Sequence, residues 1–212
     1  MKKVFMNICS FLVTIAIISM AAVTALNFRE IYYIDVYRLD IPEMSGYTEQ
    51  EIIENYNYLI DYNTSFDDKE FKLPSMKFSR EGKIHFEEVR NIFHSLYYIM
   101  GIGLLAFIAI IYEAFKGRTK PLKNVLKMLI ILPVIVAIPM MVAFDKVFVL
   151  FHKIMFRNDY WIFDPVLDPV INILPEEFFY HEALLIVSLT VIMWIALLIA
   201  YRIFSDRVEK QS

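Results

Sequence analysis

The chain has 212 residues, of which 58% are hydrophobic, and a formal net charge of −3. Its mean hydropathy of +0.50 is too high for an ordinary soluble domain, and its small net charge argues against a nucleic-acid-binding surface. The single Cys9 cannot form an internal disulfide, and the sequence has no Gly-rich phosphate loop, CxxC pair or HExxH motif.

The first apolar run, residues 4–26, follows Lys2 and Lys3 and ends in AAVTALN. It looks like a secretory signal but is long for a signal core, so a retained transmembrane helix is expected. An outer segment over 27–91 leads into a second span over 92–115. The short loop 116–123 carries Lys116, Arg118, Lys120 and Lys123 and no acid. A third span over 124–145 contains Pro133 and Pro139, which are expected to bend it. A second outer segment, 146–182, precedes a fourth span over 183–203 and a tail over 204–212, with Arg202, Arg207 and Lys210 at that end. Each apolar run reaches the ~20 residues that a bilayer crossing needs. Short basic loops stay in the cytoplasm, so both termini and loop 116–123 are expected inside and the two long segments outside. The expected fold class is an all-α membrane protein: four transmembrane helices with a small extracytoplasmic cap built from the two outer segments.

Within the first outer segment, SGYTEQEIIENYNYLIDYN predicts a helix capped by Ser45 or Thr48, with Ile52, Tyr56 and Leu59 as its packing face. Pro74 and Gly82 predict turns or short extended pieces before the second span. The second outer segment is aromatic and proline-punctuated, and Phe148, Phe151, His152 and Met155 share a helical face in it. Trp161, Phe163 and Phe178 to Tyr180 suit the headgroup zone, so this segment is expected to lie on the membrane.

Histidine is the side chain that titrates nearest neutrality. Of the four, His94 is assigned to packing or an internal hydrogen bond, and His181, beside Glu182, to interfacial anchoring. His85, in KIHFEEVRN, and His152 each stand beside a span boundary with aromatic neighbours, and the topology puts both on one leaflet. Together they are candidates for acid–base work on a lipid headgroup bond. Glu87 and Glu88 are positioned either to orient an imidazole or simply to be solvated. Asp164 and Asp168, with His152, form an alternative metal set. The prolines that follow both aspartates favour a turn or helix-start role instead.

SGYTEQEIIENYNYLIDY, HFEEVR and FHKIMFRNDYWIFDPVLDPVINILPEEFF, together with the four spans, resemble the bacterial lipoprotein intramolecular transacylase family over nearly the whole chain. The last motif is the most specific. The resemblance implies a plasma-membrane acyltransferase acting on diacylglyceryl-modified bacterial lipoproteins at the outer leaflet. It would move the glycerol sn-2 acyl chain to the N-terminal amine of the lipidated cysteine, with no metal and no cofactor. His85 and His152 would share the base and acid roles, in either order. Arg157 is positioned to hold an ester carbonyl or a lipid phosphate, Trp161 and Asp164 to shape the pocket or orient a histidine, and Phe151 and Tyr33 to wall it. The competing reading is a non-catalytic membrane protein whose outer cap binds a partner or membrane lipid. A metal-dependent hydrolase using His152, Asp164 and Asp168 is a third.

Overall fold

The computed structural model describes Lys2–Glu209; Lys210 of the basic tail lies outside the described residues. Among these, the chain is helical with no strand: α1 (Lys2–Asn27), α2 (Glu30–Arg38), α3 (Ile41–Ser45), α4 (Glu49–Thr64), α5 (Arg80–Phe115), α6 (Lys120–Val142), α7 (Phe144–Met155), a 3-10 turn (Pro169–Ile173) and α8 (Glu176–Glu209). Among the described residues, four helices are long and apolar enough to cross a bilayer: α1, α5, α6 and the Glu176–Arg207 part of α8. The 36 residues of α5 run about 54 Å at 1.5 Å per residue, well past the ~30 Å of a hydrocarbon core. Its polar first turns therefore extend beyond the apolar stretch that begins near Ile92. Pro133 and Pro139 lie inside a continuous α6. The break before α7 falls at Ala143, which leaves helical geometry at φ −155° and ψ 68°.

The chain divides into two compact units. The first takes the residues through Thr24, Leu96–Met141, and those from Leu185 on. Its core includes Met6, Cys9, Val13, Ile110, Leu122, Val125 and Leu129. Side chains bond to carbonyls where no water is available to do so: Ser10 Oγ donates to Met6 O at 2.9 Å and Pro121 O at 3.0 Å, and Trp194 Nε1 donates to Leu126 O at 3.0 Å. Glu113, 7% exposed, takes Lys2 at 3.1 Å and Arg118 at 2.7 Å.

The second unit comprises Ala25–Ser95 and Val142–Leu184. Its α4 begins with a capping box: Thr48 Oγ1 accepts from the Glu51 N–H while the Glu51 carboxylate accepts from the Thr48 N–H. Such a cap contributes about 1 kcal/mol. Ile52, Tyr56 and Leu59 form its buried face, at 0, 2 and 3% exposure. Tyr56 stacks on Tyr32 of α2 with ring centroids 3.6 Å apart, and Phe178 meets both rings edge-on. The loop after α4 is tied to α5 by Arg90, which donates to the carbonyls of Ser65 and Lys69 and pairs with Asp67.

Of the segment read as turns or extended pieces, 71–79 is non-helical with a bend at Pro74, but from Arg80 on, Gly82 included, it is the start of α5. Ser79 Oγ accepts from the Gly82 N–H at 2.8 Å, and the Ser79 N–H donates to Asp168 Oδ1 at 2.7 Å. Gly82 is in helix, and its reason is space: a Cβ there would lie 2.2 Å from Asp168 Oδ1. Gly82→Ala is therefore expected to break the Asp168–Ser79 bond and cost about 1–3 kcal/mol. A thermal melt in detergent measures this, and an unchanged melting temperature contradicts it.

Candidate functional site

His85 sits in the second turn of α5, placed by the Ser79 cap and 6% exposed. His152 lies in the last turn of α7, partly buried. Their rings meet, with centroids 6.1 Å apart and planes 29° from parallel. Aromatic rings surround the pair. Phe156 lies 4.7 Å from His85 and 5.6 Å from His152, and Phe163 lies 5.3 Å from His85. On the other side, His152 is flanked by Phe148 at 4.2 Å, Trp161 at 4.8 Å and Phe151 at 5.5 Å. Such walls hold two polar rings rigidly and keep water away from them.

The two imidazoles are bonded differently. His152 Nδ1 lies 2.7 Å from the Phe148 carbonyl one turn back. A carbonyl only accepts, so the proton sits on Nδ1 and the Nε2 lone pair is free. His85 Nδ1 is buried with no partner. Burial, with the nearby His152 adding a smaller push, drives His85 down to about 4 from an ordinary 6.5. Burial also lowers His152, against the opposing pull of its Phe148 bond. Both rings therefore rest neutral at pH 7, each able to take a proton.

This depression has a consequence for stability. Between pH 4 and 6.5 the unfolded chain binds a proton at His85 that the folded chain refuses. Stability then rises with pH across that window and is lost as pH falls through it, by on the order of 3 kcal/mol in full. In detergent melts from pH 7 to 4, the wild type is expected to lose this much more than His85→Phe, which has no titrating ring. Parallel losses contradict the assignment.

The remaining sequence candidates are placed unevenly. Trp161 and Phe151 join the enclosure directly. Trp161 Nε1 donates to the Asn158 carbonyl at 3.1 Å, and Asn158 Nδ2 donates to Glu88 Oε1 at 2.8 Å, so α5 and the loop after α7 are fastened beside the two histidines. Asp164 is exposed and turns its own loop, with Oδ1 accepting from the Val166 N–H at 2.7 Å. Asp168 is engaged by Ser79. Among the described residues no three His, Cys, Asp or Glu side chains gather to hold a metal ion, so His152, Asp164 and Asp168 do not form the alternative set. Arg157 is exposed. Tyr33 donates its hydroxyl to Asn57 at 2.7 Å, and its ring has no described contact with either imidazole.

His94 is bonded internally, 2.8 Å from the Ser65 carbonyl, and stacks on Phe66. His181 is not a simple interfacial anchor. Its Nδ1 lies 2.7 Å from the carboxylate of Asp35, which is 2% exposed, so a partly buried His181 pairs with a buried Asp35 between α2 and α8. Sequence reasoning missed that pair and Phe156. Glu88, offered by its place beside His85 as a group to orient an imidazole or as a solvated acid, instead accepts from Asn158. In the first unit a cleft of about 730 Å³ is lined by Lys2, Lys3, Glu113, Arg118 and Lys120 among others. It holds no histidine, and its one carboxylate is tied to Lys2 and Arg118.

Four apolar helices of bilayer length and two adjoining proton-accepting rings define a helical integral membrane protein with a centre suited to acid–base chemistry. The sequence model described as lipoprotein intramolecular transacylase Lit matches residues 7–179, and the chain belongs to that family. It is accordingly a membrane-integral acyltransferase. Solved structures agree. The in meso structure of the membrane integral lipoprotein intramolecular transacylase Lit from Bacillus cereus is 34% identical, with a TM-score of 0.93 over 99% of this chain and 98% of that one. The Bacillus cereus protein with an H85R mutation matches at 32% identity and TM-score 0.85, covering 99% of this chain and 94% of that one. The form with an H85A mutation matches at 33% identity and TM-score 0.84, covering 99% and 96%. No curated protein sequence matches the chain.

Proposed function

We propose that the chain moves the sn-2 acyl chain of a diacylglyceryl-cysteine lipoprotein to the α-amine of the same cysteine, leaving a lyso-form lipoprotein. The reaction takes place at the outer leaflet of a bacterial plasma membrane, with both chain termini cytoplasmic. The observation that carries this reading is the 6.1 Å approach of His85 and His152 inside one aromatic enclosure. Two features support the topology: Lys116, Arg118, Lys120 and Lys123 cluster between α5 and α6, and Arg202 and Arg207 lie near the end of α8. The membrane-crossing stretches are 4–26, 92–115, 124–145 and 183–203; segments 27–91 and 146–182 are outside, and loop 116–123 and tail 204–212 inside.

Donor ester and acceptor amine belong to one molecule. Holding it bent removes the cost of gathering two reactants, which for well-oriented cases is roughly 7–11 kcal/mol of barrier. Only the neutral amine attacks. Its nitrogen bonds to the ester carbon, the oxyanion forms and collapses, and the carbon–oxygen bond to glycerol breaks. The proton released by the attacking nitrogen is the one the glycerol oxygen needs. Two imidazoles neutral at rest suit such a transfer: His85 takes the proton, and His152 Nε2 lies on its route to the leaving oxygen. The roles are reversible because each ring takes and returns a proton. Phe151, Phe156 and Trp161 exclude the water that would divert the acyl group to free acid. Arg157 is free to hold a lipid phosphate, Asp164 shapes the covering loop and Tyr33 the α2 wall. The transfer exchanges an ester for an amide and calls for no cofactor and no metal.

The test is tandem mass spectrometry of a synthetic diacylglyceryl lipopeptide incubated with purified protein. The expected product has unchanged mass, N-terminal fragments bearing one acyl amide, and one ester left on glycerol. Release of free fatty acid and loss of the acyl mass would identify a hydrolase instead.

A further inference from the structure

The acyl acceptor needs a binding group of its own, and α5 holds an unused one. Glu88 follows His85 by three residues, so the two side chains share a helix face. The same loop covers both: Phe156 and Phe163 pack on the His85 ring, and Asn158 holds Glu88 Oε1 at 2.8 Å. The other oxygen, Oε2, is buried and has no partner, and neither has His85 Nδ1, on a side chain only 6% exposed. Leaving two such atoms unsatisfied costs about 1–3 kcal/mol each, more when the group is charged, so a pair on one buried face is a place where a ligand completes the bonding. Glu87, the neighbouring acid, is different: it faces Lys83 at 4.0 Å.

A carboxylate oxygen only accepts, and an unprotonated imidazole nitrogen also accepts. The complement is a group with several donors and a positive charge. A primary ammonium carries three donors, and the N-terminal amine of a lipidated cysteine is such a group. We infer that Glu88 binds the acceptor amine of the substrate in its ammonium form, with Oε2 taking one N–H while Asn158 fixes the carboxylate through Oε1. This rests on the transacylase reading given above. The ammonium then loses two protons. The first leaves through His85 to bulk solvent before the ester is engaged, which frees the nitrogen lone pair and returns His85 to its neutral form. The second is released as the C–N bond forms and passes by the two imidazoles, as above, to the glycerol oxygen as the C–O bond breaks.

A lipopeptide with ether links in place of both glycerol esters cannot transfer and reads binding alone. Its free-amine and N-acetylated forms are titrated against the full-length protein in detergent. The wild type is expected to prefer the free amine by roughly ten- to hundredfold, the range of a charge-assisted bond. Glu88→Gln abolishes the preference while keeping the affinity for the acetylated form, which certifies the fold. Glu88→Asp falls between, and Glu87→Gln keeps the full preference. A preference that survives in Glu88→Gln, or is absent from the wild type, overturns the inference. If Glu88→Gln binds neither form, Glu88→Asp decides, and an undiminished preference there also overturns it. Wild type that makes N-acyl product from the ester substrate but shows no amine preference sinks the Glu88 assignment alone. Wild type that makes no N-acyl product sinks the transacylase reading.

Discussion

His85→Ala is expected to lower turnover by about 10²–10⁴-fold, the typical contribution of a positioned acid–base group, while the helices remain folded. The ring is not needed for packing in its present form. Its Nδ1 is buried without a partner, and its neighbours Phe156 and Phe163 are apolar. A buried polar atom left unbonded destabilises a fold. His85→Phe is therefore expected to melt at or above the wild-type temperature while losing activity to the same degree as alanine. A side chain whose removal stabilises the protein but stops the reaction is there for the reaction. The checks are a detergent melt and the fragment-ion assay on the same preparations. A large drop in melting temperature for His85→Phe would assign the ring to the core instead.

Gly103→Leu is expected to unfold the first unit. A Cβ on Gly103 would stand 2.1 Å from the Ala16 Cβ and 3.3 Å from the Leu12 carbonyl. Helices in lipid are held by close packing of small residues, and here α1 and α5 approach so nearly that even one methyl group has no room. Added bulk in a filled core costs about 1–3 kcal/mol when side chains can yield. Here a helix backbone must move, so the upper end of that range or beyond is expected. Gly101 is the matched control, because nothing lies within 4 Å of its Cβ position. Gly101→Leu should purify as the wild type does, and Gly103→Leu should aggregate or melt far lower on size-exclusion chromatography and thermal shift. Equal behaviour of the two would show that the close approach does not hold α1 and α5 together.

The sequence made some of this legible and hid the rest for physical reasons. The four apolar helices were readable because lipid demands long uninterrupted runs. The α4 start was readable because Thr48 and Glu51 stand at capping-box spacing. The approach of His85 and His152 was legible because they stand on separate outer segments that the topology puts on one leaflet, each with aromatic neighbours. The start of α5 was misread at Gly82, a residue that usually marks a turn. Its lack of a side chain serves Asp168, which is 86 positions away and leaves no local trace. The His181–Asp35 pair hid for the same reason, as its members lie 146 residues apart. Phe156 and Phe163 were obscured by abundance, since a chain that is 16% aromatic gives no cue as to which rings face an imidazole. Asp164 behaved as the proline after it indicated, bonding the Val166 N–H in its own turn, whereas Asp168 bonds the distant Ser79 N–H at the start of α5.

The account depends most on His85 and His152 working as one proton-handling unit. The direct measurement is the turnover of His85→Ala, His152→Ala and the double variant on one diacylglyceryl lipopeptide, read by N-terminal amide fragments. Groups that act together are strongly non-additive, so each single variant should lose about 10²–10⁴-fold and the double variant little more than the worse single. Near-normal turnover in either single variant, or losses that multiply in the double, would contradict it.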